Sequence, residues 1–236
     1  MSSTAPRSDL AVRTGSAIVM LAVAGLALWS GGGFFRLFVL VGAALLIWEW
    51  KTMVDRFPDD RTTRATWLAF GGVYVALAAL ALIALERGGM VLPVLGAVIA
   101  TDIGAYFVGR TIGGPKIAPA ISPSKTWSGL AGGMIASGLL LMLAGPALLS
   151  GAVGGQFDAD AISGGIGALL LVLCGGAIAV LAQAGDFFES WIKRRAGVKD
   201  SGSWIPGHGG LFDRVDGLLP VSIAAALALW LIRISW

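Results

Sequence analysis

Of the chain's 236 residues, 56% are hydrophobic and only 13% charged, and the mean hydropathy is +0.83; soluble domains carry about 25% charge. That balance excludes a soluble globular domain. The net charge of +3 comes with no soluble stretch interleaving Arg and aromatic residues, which argues against a nucleic-acid partner. One Cys and one His exclude an intrachain disulfide and a structural zinc site.

A hydrocarbon core of about 30 Å requires roughly 20 apolar residues as helix. Seven windows of that kind occur, at residues 15–31, 34–50, 66–86, 89–108, 128–150, 164–186 and 216–235. Their apolar runs are continuous rather than alternating, so helices are expected and not a barrel. The fold class predicted is all-α, a polytopic integral membrane protein with a polar active site on the cytoplasmic side. The first window resembles a signal-peptide core, but without an Ala-x-Ala cleavage pattern it reads as a retained helix. Cys174 falls inside the sixth window and reads as a small packing residue.

Loops 1–14, 51–65, 109–127 and 187–215 hold fourteen of the seventeen Lys and Arg residues; Arg36, Arg87 and Arg233 fall on the opposite side. The asymmetry puts the N-terminus and these loops in the cytoplasm. Trp29, Trp48, Trp50, Trp67, Trp127, Trp230 and Trp236 fall near window ends, where an amphipathic ring prefers to sit. The pI near 9.4 therefore describes a basic cytoplasmic face, suited to anionic headgroups or nucleotides.

Three polar clusters lie on that face. The first, Thr101-Asp102-Ile-Gly-Ala-Tyr106 through Arg110, places Asp102 about two turns before the loop. An ionisable residue there usually points into a protein cavity; pairing with Arg110 at the interface is the alternative. Beyond it, Ser122-Pro-Ser-Lys125-Thr126-Trp127 sets Ser, Thr and Lys beside Pro and Gly, the makings of a phosphate-binding turn. The next, Gln183-Ala-Gly-Asp186-Phe-Phe-Glu189-Ser190, ends the sixth window.

The richest stretch runs from Ser190 to Asp216. It holds Lys193, Arg194, Arg195, Lys199 and Arg214, the carboxylates Asp200, Asp213 and Asp216, and Pro206-Gly207-His208-Gly209-Gly210. Glycine lets backbone N–H groups approach a ligand closely, and fixed cations neutralise phosphate. Carboxylates in the same loop would repel that ligand unless a cation lies between them. Asp186 and Glu189 are three apart, as are Asp213 and Asp216, so each pair would share a helical face. With oxygen donors alone, Mg²⁺ is the natural occupant, as one ion or two. The alternative for Asp186 and Glu189 is pairing with Lys193 and Arg194.

These residues resemble the phosphatidate cytidylyltransferase (CDP-diacylglycerol synthase) family. The pattern is Ser-x-x-Lys-Arg, Lys-Asp, Pro-Gly-His-Gly-Gly and Asp-Arg-x-Asp, and every position is filled here from Ser190 to Asp216. The Thr-Asp-x-Gly-Ala-Tyr, Ser-Pro-x-Lys-Thr and Gly-Asp-x-x-Glu-Ser blocks are similar too. The resemblance divides the chain into N-terminal spans, 1–100, and a catalytic membrane domain, 101–236. Where the family often carries an acid after Lys-Thr-Trp, this chain has Ser128. Against longer members, one or two N-terminal spans are expected to be missing.

The resemblance implies transfer of CMP from CTP to phosphatidate, giving CDP-diacylglycerol and pyrophosphate for phospholipid synthesis. The catalytic set it implies is Asp186, Lys193, Arg194, Lys199, His208, Asp213, Arg214 and Asp216. Ser122, Lys125, Thr126, Ser190, Gly207, Gly209 and Gly210 would bind substrate, and Asp186, Asp213, Asp216 and Asp102 would hold metal. Partners expected are CTP, phosphatidate and membrane lipids, with a homodimer as a candidate assembly and no nucleic acid. The expected location is the bacterial inner membrane. A CTP-dependent polyprenol or phytol kinase would use the same phosphate-and-Mg²⁺ physics on an alcohol. An ion-coupled transporter fits less well, because transporters hold such acids near the midplane.

Seven spans with the N-terminus inside put the C-terminus outside. A tag fused at Trp236 should react with impermeant reagents only from the exterior of intact cells; labelling only from the cytoplasm would overturn the topology.

Overall fold

The computed structural model of the chain describes residues 7–152, 164–207 and 209–234. In order, the elements are α1 (Arg7–Ser30), α2 (Gly32–Val54), α3 (Arg61–Arg87), α4 (Val91–Thr111), β1 (Lys116–Ala118), β2 (Ser122–Thr126), α5 (Trp127–Ala152), α6 (Gly165–Arg195), α7 (Phe212–Val215) and α8 (Leu218–Ile234). Six helices among the described residues are long and apolar enough to cross a membrane: Val12–Ser30, Gly32–Val54, Arg61–Arg87, Val91–Thr111, Trp127–Gly145 and Gly165–Arg195. The window predicted at 216–235 becomes α8, 17 residues long, at the short end of what spans a hydrocarbon core.

Local chemistry sets the ends. Asp60 accepts from the N–H groups of Thr62 and Thr63, at 3.1 and 3.3 Å, and so caps the start of α3. At the end of α6, Val198 N–H donates to Lys193 O and Gly197 N–H to Arg194 O. This is a Schellman closure; it needs a left-handed residue, and Gly197 has φ 66°. Gly89, at φ 67°, closes α3 in the same way. The turn at Gly113-Gly114 leads into an antiparallel hairpin of β1 and β2, where the sequence suggested only a loop. The larger departure is α6, which continues nine residues past its predicted end at 186 and puts Glu189, Ser190, Lys193 and Arg194 on helix.

The chain packs as two compact units, Met1–Ala79 with Ile192–Val215, and Leu80–Trp191 with Asp216–Trp236. This packing division differs from the motif-based one at residue 100. In the first unit Trp50 is buried, its ring 5.8 Å from Phe212 and its Nε1 donating to Trp67 O at 2.8 Å. Trp50 is thus a core residue and not an interfacial anchor, because α2 turns that face inward. Around it Met53, Val54, Phe57, Ile192 and Phe212 are also buried.

In the second unit small residues let helices touch. A methyl group on Gly104 of α4 would lie 2.6 Å from Ala136 Cβ of α5; one on Gly129 would lie 3.0 Å from Ala105 O. A methyl on Gly175 of α6 would fall on Gly138 of α5. Between helices in lipid there is no hydrophobic drive to association, so close backbone packing must supply the attraction. The outward faces of this unit carry Leu80, Leu143 and Ile166, all exposed, as lipid contact requires. Cys174 is exposed as well, on the outer face of α6 and not packed inside it.

Gly132→Val should therefore lower the thermal midpoint in detergent, because its side chain meets Val108 and the Gly104 carbonyl; overpacking of this kind costs about 1–3 kcal/mol. Gly72→Ala, where a methyl meets nothing within 4 Å, should leave the midpoint unchanged or raise it.

Candidate active site

The second unit gathers residues from all three upstream blocks and the end of the fourth. Lys125 Nζ lies 2.5 Å from Asp186 Oδ2, both side chains about a quarter exposed. Asp102 and Asp216 also act electrostatically on this lysine. Burial works against its charge, but Asp186, Asp102 and Asp216 together outweigh burial and hold the ammonium above the usual lysine value. Asp216, which precedes the apolar helix α8, is pushed up to about 7 by burial and then by the charges of Asp186 and Asp102. Lys125 pairs with Asp186 and also feels the charges of Asp102 and Asp216, so among these four groups the carboxylates outnumber the cation.

The local folding explains this convergence. Asp102 is on α4, Lys125 on β2 and Asp186 on α6. The hairpin returns the chain so that Lys125 comes just before α5. Thr126 Oγ1 accepts from Gly129 N–H at 3.1 Å, the N-cap of α5, and is buried. Ser128 donates to the Gly113 carbonyl and lies 3.1 Å from Thr126 Oγ1, so its hydroxyl braces the turn. Gly185 lets the chain at Asp216 approach α6: a methyl there would fall on Asp216 O, and 2.8 Å from Pro220. Ser190, one turn beyond Asp186, donates to its Oδ1 at 3.4 Å. Arg110 donates to Tyr106 Oη at 2.9 Å; the charges acting on Asp102 are those of Lys125 and Asp186.

The loop from 192 to 215 belongs to the first unit. Lys193 Nζ donates to Asp213 Oδ1 at 2.6 Å. Asp213 Oδ2 accepts from Ser201 N–H and Oγ, each at 3.0 Å, and from Gly210 N–H at 2.9 Å. Four donors come close to filling a carboxylate, so Asp213 organises the loop it sits in. The helical turn α7 ends at Val215, and Asp213 and Asp216 therefore do not share the helical face that their spacing suggested. A methyl on Gly209 would lie 2.8 Å from Asp213 Oδ2, which gives that glycine a structural reason of its own. Ser122 is buried in β2; Gly207 is exposed, as are Arg194, Lys199 and Arg214. His208 lies outside the described residues.

Two carboxylates outside the motif blocks also hold this unit. Glu49 of α2 accepts from Leu211 and Phe212 N–H groups, each at 2.8 Å. Asp59 is gripped by Arg195, with contacts of 2.8 to 3.1 Å, and the guanidinium lies over the Phe57 and Trp67 rings. The sequence carried one signal for Glu49: an acid inside a predicted span.

Since Thr126 serves as a helix cap, Thr126→Ala should cost about 1 kcal/mol of stability, read as a lower thermal midpoint. Thr126→Ser should keep the cap and restore most of the loss.

Comparison with known proteins extends the match ahead of the motif blocks. Residues 60–232 match the sequence profile of the cytidylyltransferase family. A protein of Brucella suis named phosphatidate cytidylyltransferase is 41% identical over 200 residues, covering 82% of this chain and 63% of that protein. A Mycobacterium tuberculosis protein of the same name is 41% identical over 149 residues, covering 62% of this chain and 40% of its own length. Its Mycobacterium leprae counterpart is 33% identical over 172 residues, covering 73% and 50%. This chain thus spans less than two thirds of the length of these relatives. With the profile matched over most of its length, this chain belongs to the cytidylyltransferase family.

Proposed function

We propose that this protein transfers CMP from CTP to phosphatidate, releasing pyrophosphate and leaving CDP-diacylglycerol, with Mg²⁺ as cofactor. The observation that carries this reading is the meeting of Asp102, Lys125, Asp186 and Asp216, from separate motif blocks, in one group short of positive charge. Family membership and the names of the relatives support it.

The residues fit a divalent cation. Among the described residues no three His, Cys, Asp or Glu side chains stand together as a ready metal cage, yet Mg²⁺ rarely uses one. It binds through one or two carboxylates and completes its shell with waters and substrate phosphates. Asp186 and Asp216, with Asp102 beside them, offer hard oxygen donors and excess negative charge. When bound, the ion would neutralise and align phosphate oxygens. Asp213, already holding Lys193 and the loop, would take part only by exchanging those partners.

In the reaction an oxygen of the lipid phosphate attacks the α-phosphorus of CTP as the bond to the β-phosphate oxygen breaks. The nucleophile is already anionic and needs little general-base help. The barrier lies in bringing two polyanions into line. Lys125 can release Asp186 and turn its ammonium toward phosphate. Arg214 presents a planar fork of donors suited to an oxygen cluster, while Lys193 and Arg194 stand in the last turn of α6, where a lipid phosphate would arrive. We assign Arg214 to nucleotide phosphate and Lys193 with Arg194 to the lipid, on the cytoplasmic face of a bacterial inner membrane.

Purified protein incubated with Mg²⁺, phosphatidate and CTP labelled at the α-phosphate should move label into organic solvent and release pyrophosphate. Label left in water as CDP would instead identify a lipid-alcohol kinase. Asp186→Asn should lower turnover on the order of a hundredfold, the scale seen when a group fixing transition-state charge is removed. Arg214→Lys should depress turnover, and Lys193→Ala should mainly raise the phosphatidate concentration needed for half-maximal rate. If Lys193→Ala altered only the CTP dependence, the division of the cations would be reversed.

A further inference from the structure

Glu49 is an acid within a membrane-spanning helix, and its side chain is only 1% exposed. Its Oε1 accepts from Leu211 N–H, and its Oε2 from Phe212 N–H. The Ser201 hydroxyl also donates to Oε2, at 3.1 Å. Leu211 and Phe212 open the helical turn α7, where backbone N–H groups have no partner within the helix. The same Ser201 hydroxyl lies 3.0 Å from Asp213 Oδ2. A hydroxyl has one hydrogen, so Ser201 donates to Glu49 or to Asp213 at any moment, and the two carboxylates share that donor.

The glycines around Glu49 carry the argument further. A methyl on Gly202 would lie 2.6 Å from Glu49 Oε1, and one on Gly210 would lie 2.7 Å from the same oxygen. At Gly202 the Glu49 carboxylate is the nearest obstacle to a side chain; at Gly210 Ser201 Oγ, on which the methyl would fall, and Gly202 N, at 2.6 Å, stand in the way before it. Gly210 N–H, which could have faced an anion, already donates to Asp213. At both positions the missing side chain makes room for contacts within the loop and with Glu49.

We propose that Glu49 is a positioning residue for the reaction assigned above: by holding residues 201, 211 and 212 it fixes the segment that carries Asp213 and Arg214. It touches no substrate in this role. The proposal rests on the reading that this loop handles phosphate. Misplacing such a loop by about 1 Å is enough to cost on the order of a hundredfold in rate, and that loss falls on the chemical step more than on substrate affinity.

Glu49→Gln preserves volume but turns an amide N–H₂ toward at least one of the three donors. In the full-length protein in nanodiscs, amide exchange should quicken across 201–214 and stay unchanged in α3. Turnover per folded molecule should fall about 10- to 100-fold, with half-saturating CTP and phosphatidate within about threefold of wild type. Leu46→Ala, a buried residue of the same helix, should lower the thermal midpoint at least as much yet keep turnover and loop exchange near wild type. If Glu49→Gln leaves exchange unchanged, the anchor is wrong. If exchange quickens and turnover does not fall, or if Leu46→Ala loses turnover equally, the positioning role is wrong. A wild-type protein inactive on CTP and phosphatidate would sink the functional reading, while exchange would still decide the anchor.

Discussion

A carboxylate carried into the packed part of a membrane protein must be met by donors from the chain itself, because neither lipid nor apolar side chains can replace its water. Four of the described carboxylates show how that demand is met. Asp186 has Lys125; Asp213 has Lys193, Ser201 and Gly210; Asp59 has Arg195; and Glu49 has two backbone N–H groups and a hydroxyl. Removing one partner would leave a charge poorly compensated, which costs far more than the net gain of making the pair. Each pair therefore fixes local geometry more than it adds stability.

Close backbone approach allows those pairs to form. Gly185 admits the chain at Asp216 beside Asp186, while Gly202 and Gly210 admit the Glu49 carboxylate. On α4 and α5, Gly104, Gly109, Gly129 and Gly132 bring the two helices together and so set the hairpin from which Lys125 projects. Glycine in this chain is a steric requirement of carboxylate and helix placement as much as of any ligand.

The two units differ in how their charge is met. In the second, three carboxylates press on one lysine, and Asp216 is pushed up to about 7; such a group gains from any further cation. In the first, Asp213 and Glu49 are saturated by the loop, and Arg194, Lys199 and Arg214 are exposed. One unit thus holds an acidic group with few cations, and the other a basic loop whose carboxylates are already met from within.

Composition and hydropathy were enough to determine a helical membrane protein, because burying every backbone group in lipid leaves few other solutions. Spacing and residue type marked Asp102, Lys125, Asp186 and Asp216, since ionisable groups at span ends are too expensive to be incidental. Only the tertiary structure decided their partners. Asp213 and Asp216 look equivalent three residues apart, but the helical turn α7 ends between them, and one carboxylate is held by a loop while the other faces Asp186. Thr126 stands in what the sequence marks as a phosphate-binding turn, and the structure gives its hydroxyl oxygen the further duty of capping α5. Glu49, 152 residues before Ser201, could not be connected to the loop from sequence. Local pattern encodes which residues are costly to bury, whereas the identity of the donor depends on which distant backbone passes within 3 Å.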